Sequence, residues 1–181
     1  MRETRLICAG VIVVVILALT QFAEAQMVQS ADQRAGRFIF GGGLGLQANT
    51  PDGTAFAFGF GGDYYLTQGF SIGPLFQFGF TGDLFQFGFS GQAKYTFDLK
   101  EIPALKPYIE AGVGVIYADL DRGRGGSEQD TSFLFPLGIG AEYRLTKSIS
   151  VDNKFLFNFT DLDVRDTHFF FTWLVGLKYR F

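Results

Sequence analysis

The stretch Leu75–Phe97, LFQFGFTGDLFQFGFSGQAKYTF, puts Phe76, Phe78 and Phe80 at alternate positions, breaks at Gly82-Asp83, and resumes with Phe85, Phe87 and Phe89. Successive side chains of a strand point to opposite faces, so each arm has one aromatic face and one small or polar face. Gly82-Asp83, with glycine first, reads as a two-residue hairpin turn that keeps Phe80 and Phe85 on the same side. Leu75–Asp83 recurs almost unchanged as Leu84–Gln92, one copy on each arm of the hairpin. A disordered phenylalanine-glycine tract is the alternative, but disorder needs low hydrophobicity and this tract has the opposite.

The same two-residue period runs outward in both directions. It marks eight segments: Arg37–Gln47, Thr54–Leu66, Phe70–Thr81, Leu84–Phe97, Pro107–Ala118, Ser132–Leu145, Ile149–Thr160 and His168–Phe181. The chain carries 23 Phe and 24 Gly in 181 residues, and bulky and small residues alternate along each segment. Alternation by itself also fits a water-soluble β-sandwich. The charges separate the two. Arg37, Asp63, Lys94, Glu110, Glu142, Arg144, Asp152, Lys154, Lys178 and Arg180 all fall on the small-residue phase and toward one end of their segments. The rest of that phase is mostly Gly and Ala, which suits the crowded inside of a narrow barrel better than a wetted outer face. The expected fold is all-β: one transmembrane, antiparallel, up-and-down barrel of eight strands, its bulky phase toward lipid.

The connections agree with that topology. Leu66–Phe70 and Leu145–Ile149 are similar short turns, whereas Asp119–Thr131 is a longer link and Asp98–Lys106 is long for a periplasmic turn. Four segments end in a charged residue, a tyrosine, any residue and an apolar one: Asp63-Tyr64-Tyr65-Leu66, Lys94-Tyr95-Thr96-Phe97, Glu142-Tyr143-Arg144-Leu145 and Lys178-Tyr179-Arg180-Phe181. Tyr64, Tyr95, Tyr143 and Tyr179 are thereby expected to form an aromatic belt at the inner membrane surface, where a ring meets lipid and its hydroxyl meets water. Pro74 and Pro136 interrupt ideal strand chemistry and are expected to mark a bulge or a rim.

Ahead of the barrel, Arg2 and Arg5 precede an apolar run from Leu6 to Thr20, and Ala23-Glu24-Ala25 is a small-x-small site. These are the parts of a secretory signal, expected to span residues 1–25 and to be cleaved, with 26–36 a short periplasmic segment and 37–181 the barrel. A membrane-anchoring helix would need about 20 apolar residues, more than this run supplies. Cys8, the only cysteine, lies within the signal, so the mature chain offers no disulfide, thiolate metal site or cysteine nucleophile. The net charge of −3 gives no reason to expect nucleic acid.

At Asp63-Tyr64-Tyr65-Leu66-Thr67, at Lys106-Pro107-Tyr108 through Gly112-Val113-Gly114, and at Ala141–Thr146, the chain resembles the small outer-membrane β-barrel family of OmpX, the OmpA membrane domain and the opacity proteins. The resemblance covers Arg37 to Phe181. It implies integration in the bacterial outer membrane, with lipid and lipopolysaccharide as surroundings. It also implies that Trp173, Val175, Leu177, Tyr179 and Phe181 form the signal read by the barrel-assembly machinery. The family's motifs carry no activity with them.

The ten inward charges mix both signs, which permits pairing inside the lumen, and they read as a plug that fixes register. The rest of the lumen, with Leu134, Leu156, Phe170 and Leu174, reads as close packing, or as a shallow apolar pocket. His168 is the only histidine; with Asp166 and Ser132 it suggests a nucleophilic triad, though a solvated rim residue is the simpler reading. Asp119, Asp121, Glu128, Asp130, Asp161, Asp163 and Asp166 make an acidic rim without the ligand spacing of a calcium loop. No catalytic, cofactor or metal site is expected. The expected role is structural or surface-interacting, with a small pore or a conduit for hydrophobic molecules as the rival and a lipid-modifying enzyme behind both.

Overall fold

The structure, a computed structural model, describes residues 34–181 apart from 124–125. The expected signal, residues 1–25, and the segment 26–33 lie outside the described residues. Eight strands follow in order: β1 (Phe38–Thr50), β2 (Gly53–Tyr65), β3 (Phe70–Phe80), β4 (Leu84–Thr96), β5 (Leu105–Asp121), β6 (Ser127–Arg144), β7 (Ile149–Leu162) and β8 (Thr167–Arg180). One 3-10 turn, Val164–Asp166, precedes β8.

Each strand pairs antiparallel with its sequence neighbour, and β8 returns to β1 to close the barrel. The closing ladder runs from Ile39 opposite Arg180 to Ala48 opposite Phe171. Glycine makes this seam possible. A Cβ on Gly45 would lie 1.8 Å from the Trp173 carbonyl oxygen, and one on Gly176 would lie 2.1 Å from that of Gly42. No other residue fits backbones that close. Phe38 and Phe181 lie at one end of the barrel, here called the terminal end, with the turns after β2, β4 and β6; the other four connections form the far end.

The distribution of burial is inverted relative to a water-soluble protein. Phe40, Phe56, Phe60, Val113, Ile139 and Leu177 point outward and are 41–67% exposed. Inside, among the described residues, buried polar side chains outnumber buried apolar ones. Leaving one large apolar side chain in water forgoes roughly 1.5–3 kcal/mol, and here the whole outer wall is built of them. Only hydrocarbon matches such a surface.

Three expectations need correction. At this link β5 continues three residues and β6 begins five residues beyond the limits of their apolar alternation, so the link expected over Asp119–Thr131 shortens to 122–126. Asp119 pairs with Gln129, and Asp121 with Ser127. In the extension Leu120 still turns inward and is buried while Asp119 and Asp121 lie on the outward phase, so the ladder persists after the apolar outer face stops. Arg37 precedes β1, is exposed, and reaches the carbonyl of Phe181 at 3.5 Å; it is no part of the lumen network. Its phase was right, but the strand starts one residue too late to turn it inward.

Pro74 and Pro136 mark neither a bulge nor a rim. Both sit inside strands, opposite Gly91 and Asn158, with no register shift. Each loses pairing on one side only: β2–β3 skips from Gly61 opposite Leu75 to Tyr64 opposite Ile72, and β5–β6 from Ala111 opposite Leu137 to Gly114 opposite Leu134. A proline removes a single donor, and the ladder on its other flank holds the register. The two recorded shifts lie at the far end instead, between Gln47 and Thr50 and between Phe159 and Leu162.

The face assignment has a direct test. Val175→Arg, on the outer wall, should destabilise the inserted barrel by about 2–4 kcal/mol in urea unfolding from vesicles. Ala57→Ser, on the inner wall, should stay within about 1 kcal/mol. Equal effects would contradict the assignment.

Candidate functional site: the barrel lumen

The lumen is filled in layers. At the terminal mouth Arg34 folds under the barrel; its guanidinium lies 5.4 Å from the Tyr65 ring centre and pairs with Asp98, which also accepts from Lys106 Nζ at 2.6 Å. Asp98 belongs to the connection that seemed too long for its end of the barrel, and this clasp is what the extra length supports. Burial opposes ionisation of Asp98, but the Lys106 hydrogen bond and the Arg34 charge outweigh it and hold its carboxyl below the usual aspartate value.

Above the clasp lies the charge layer. Strand alternation turns Asp63, Lys94, Glu110, Glu142, Asp152, Lys154 and Lys178 inward, none more than 9% exposed. Lys94 pairs with Asp63 across β2 and β4. Lys154 Nζ lies 3.0 Å from Glu110, and Lys178 Nζ lies 2.9 Å from Asp152 and 3.6 Å from Glu142. Arg180 approaches Glu142 at 3.9 Å, and Arg144 is half-buried at the same end.

Tyr108 stands at the centre. Its hydroxyl donates to Asp152 at 2.9 Å, while the ammoniums of Lys94 and Lys178 lie 4.9 and 4.7 Å from its ring centre. A ring face attracts cations, so one residue links both lysines to an acceptor. Sequence reasoning did not place Tyr65 and Tyr108 here, although both share the phase of inward charges two residues away. Beside this layer a cavity of about 50 Å3 is walled by the bare backbone of Gly41, Gly43, Gly59 and Gly61. It has room for a few waters.

A third layer is uncharged: Gln77 donates to Asn158 at 3.1 Å, and Asn158 donates to Thr172 at 2.9 Å, with Gln47 and Gln86 buried alongside. The far end is apolar. Leu84, Ile116, Leu120, Leu134, Leu162, Val164 and Phe170 form one buried cluster. Leu156 and Leu174 are buried as well, so the described side chains pack the space where a shallow pocket was the alternative.

Val164 reaches this cluster because the 3-10 turn bends into the barrel mouth. Arg165 and Asp166 take left-handed φ values of 51° and 49°, a conformation that costs non-glycine residues energy. Tethers hold the turn down: Arg165 donates to the Pro51 carbonyl at 2.7 Å and the Asp163 amide to Asp130 at 2.8 Å.

The rim residues differ from the triad pattern. His168 Nδ1 lies 2.9 Å from Asp161, not Asp166, and both partners are about two-thirds exposed. Ser132 Oγ accepts from the Asp161 amide at 3.3 Å. The cause is the register shift between Phe159 and Leu162, which swings Asp161 alongside β8. Among the described residues no group of acidic or histidine side chains has the arrangement of a metal site.

On the outer wall Tyr64, Tyr95, Tyr143 and Tyr179 all project at the terminal end. The tilted rings of Phe38 and Tyr64 lie 4.7 Å apart, and Tyr179 meets Phe181 at 4.8 Å. Trp173, Val175, Leu177 and Tyr179 are exposed at alternate positions along β8, and Phe181, just after the strand, is exposed in the same phase.

A closed eight-stranded barrel with an apolar exterior and charges buried in its lumen defines a transmembrane β-barrel protein. The family model described as outer membrane protein beta-barrel domain matches residues 11–181, and the chain belongs to that family. No curated protein matches it in sequence. Among solved structures it is similar to Neisserial surface protein A, at 17% identity and a TM-score of 0.68, over 81% of this chain and 98% of that one. The N-terminal β-barrel domain of Pseudomonas aeruginosa OprF superposes at 15% identity and a TM-score of 0.61, over 80% and 97% of the two chains. Ail, the attachment invasion locus protein of Yersinia pestis, does so at 18% identity and 0.56, with the same coverage. Such identities establish a shared fold.

Two outcomes follow from the charge layers. Asp63→Ala strands Lys94 inside the barrel and should cost about 3–5 kcal/mol in urea unfolding, whereas replacing the pair together, Asp63→Leu with Lys94→Met, should cost much less. The Asp98 carboxyl has a lowered folded value, so its contribution is complete above an ordinary aspartate pKa of about 4 and disappears as the pH falls through the lower value. Exchange of the Gly36 amide, bonded to the Tyr65 carbonyl at 2.8 Å, should therefore quicken in acid, corrected for intrinsic rate, and Asp98→Asn should quicken it at neutral pH.

Proposed function

We propose that this chain is a closed, non-enzymatic barrel of the bacterial outer membrane with a structural or surface-interacting role. Residues 1–25 direct export and are removed, the terminal end faces the periplasm, and the far end faces outward among lipopolysaccharide. Trp173, Val175, Leu177, Tyr179 and Phe181 serve the assembly machinery as its recognition strand. The mixed-charge layer acts as a plug.

One observation supports the reading: two groups of buried side chains stand in the lumen, the ion pairs around Tyr108 and the apolar cluster that includes Val164. A solute path needs a continuous opening, and the cavity of about 50 Å3 beside the charge layer has room for only a few waters. His168 and Asp161 stand in open water, where a histidine–carboxylate pair gains little of the preorganisation that catalysis demands. The shared fold with Neisserial surface protein A and the attachment invasion locus protein supports a surface role by analogy.

In planar bilayers the purified protein should give no reproducible single-channel steps. A steady unitary conductance would replace the plug with a pore. Lipid-A or phospholipid turnover that vanishes in His168→Ala would overturn the non-enzymatic reading.

A further inference from the structure

An amide side chain stands on the lipid side of the wall. Asn153 projects outward from β7 and is exposed, between Ala141 on β6 and Val175 on β8. Val175 lies four residues from Tyr179 and six from Phe169, the two ends of the aromatic exterior on β8. At roughly 3.3 Å per residue and a tilt of about 40°, Asn153 sits about 10 Å inside the tyrosine level of an apolar band about 25 Å tall. It is well within hydrocarbon.

Its Oδ1 accepts from Trp173 Nε1 at 2.8 Å, which explains how an indole N–H is tolerated at that depth. The same amide still has two N–H donors and a second carbonyl lone pair. Its side chain makes no other hydrogen bond among the described residues. Acyl chains offer no acceptor, and ester carbonyls and water lie nearer the tyrosine level. A polar group in hydrocarbon has to find its partner in protein.

We propose that two copies of this chain pair in the membrane through the β7 face, with Asn153 on the two-fold axis. An axis along the membrane normal brings both Asn153 residues to the same depth by symmetry, which no unrelated partner guarantees. Each NH2 then donates to the free lone pair of the other Oδ1, while Trp173 keeps the first. Ala141, on the strand next to Asn153, leaves the approach clear of bulk. The inference rests on the lipid-facing exterior and is independent of whether the lumen is plugged.

The test uses the full chain with Cys8→Ser to remove its single native thiol and Ser127→Cys, the exposed first residue of β6 at the far end, to carry a dye. Donor- and acceptor-labelled copies are mixed in phosphatidylethanolamine–phosphatidylglycerol vesicles, and energy transfer is followed as lipid is added. Transfer should persist on dilution. Asn153→Leu should cut the dimer fraction at least tenfold and Asn153→Gln should restore part of it, while heat-modifiable gel migration reports that both variants remain folded barrels. Transfer that dilutes away in the unaltered surface, or that is indifferent to folded Asn153→Leu, would overturn the proposal.

Discussion

A strand in hydrocarbon has nowhere to send its N–H and carbonyl groups except to another strand, and the rest of this molecule answers that constraint. Closure of β8 onto β1 removes the last open edge. The cost of closing a cylinder this narrow appears in the glycines of the β1–β8 seam, where the backbones leave no space for a Cβ on Gly45 or Gly176. It appears again at Pro74 and Pro136, each of which loosens one ladder while the opposite ladder keeps its register. A sheet with free edges would have to keep such residues at its margin.

Closure also decides what the interior must be. Half of every strand's side chains point into a space too narrow for eight sets of large residues, so Gly and Ala fill much of the wall and longer polar chains cross the centre. Burying charges is expensive when one sign stands alone and bearable when partners are close. The carboxylates Asp63, Glu110, Asp152 and Glu142 each meet a lysine, and Tyr108 links two of those lysines to one acceptor. Toward the far end the filling becomes neutral and then apolar. The Val164 turn completes it against backbone strain, held by Arg165 and Asp130.

Much of this was legible along the chain. The phenylalanine period of Leu75–Phe97 marks the second half of β3, the turn and β4, and the inward phase of Asp63, Lys94, Glu110, Glu142, Asp152, Lys154 and Lys178 corresponds to where these side chains lie. The limits of that method are equally specific. Arg37 has the inward phase but stands before the strand. Tyr65 and Tyr108 have it too, yet as aromatics they pass for belt residues until their neighbours are known. Arg34, Asp98 and Val164 belong to no periodic segment, so no pattern points to the mouths they occupy.

The sequence by itself determined the strands, their faces and the sign of each inward charge, because side-chain direction in a strand depends only on parity and survives any uncertainty in strand pairing. Only the tertiary structure decided which charges meet, that His168 pairs with Asp161, that the prolines stay in register, and that Asn153 meets the indole of Trp173. Those outcomes depend on stagger between strands and on where connections fold. Both are set by closing the whole cylinder rather than by any local stretch of chain.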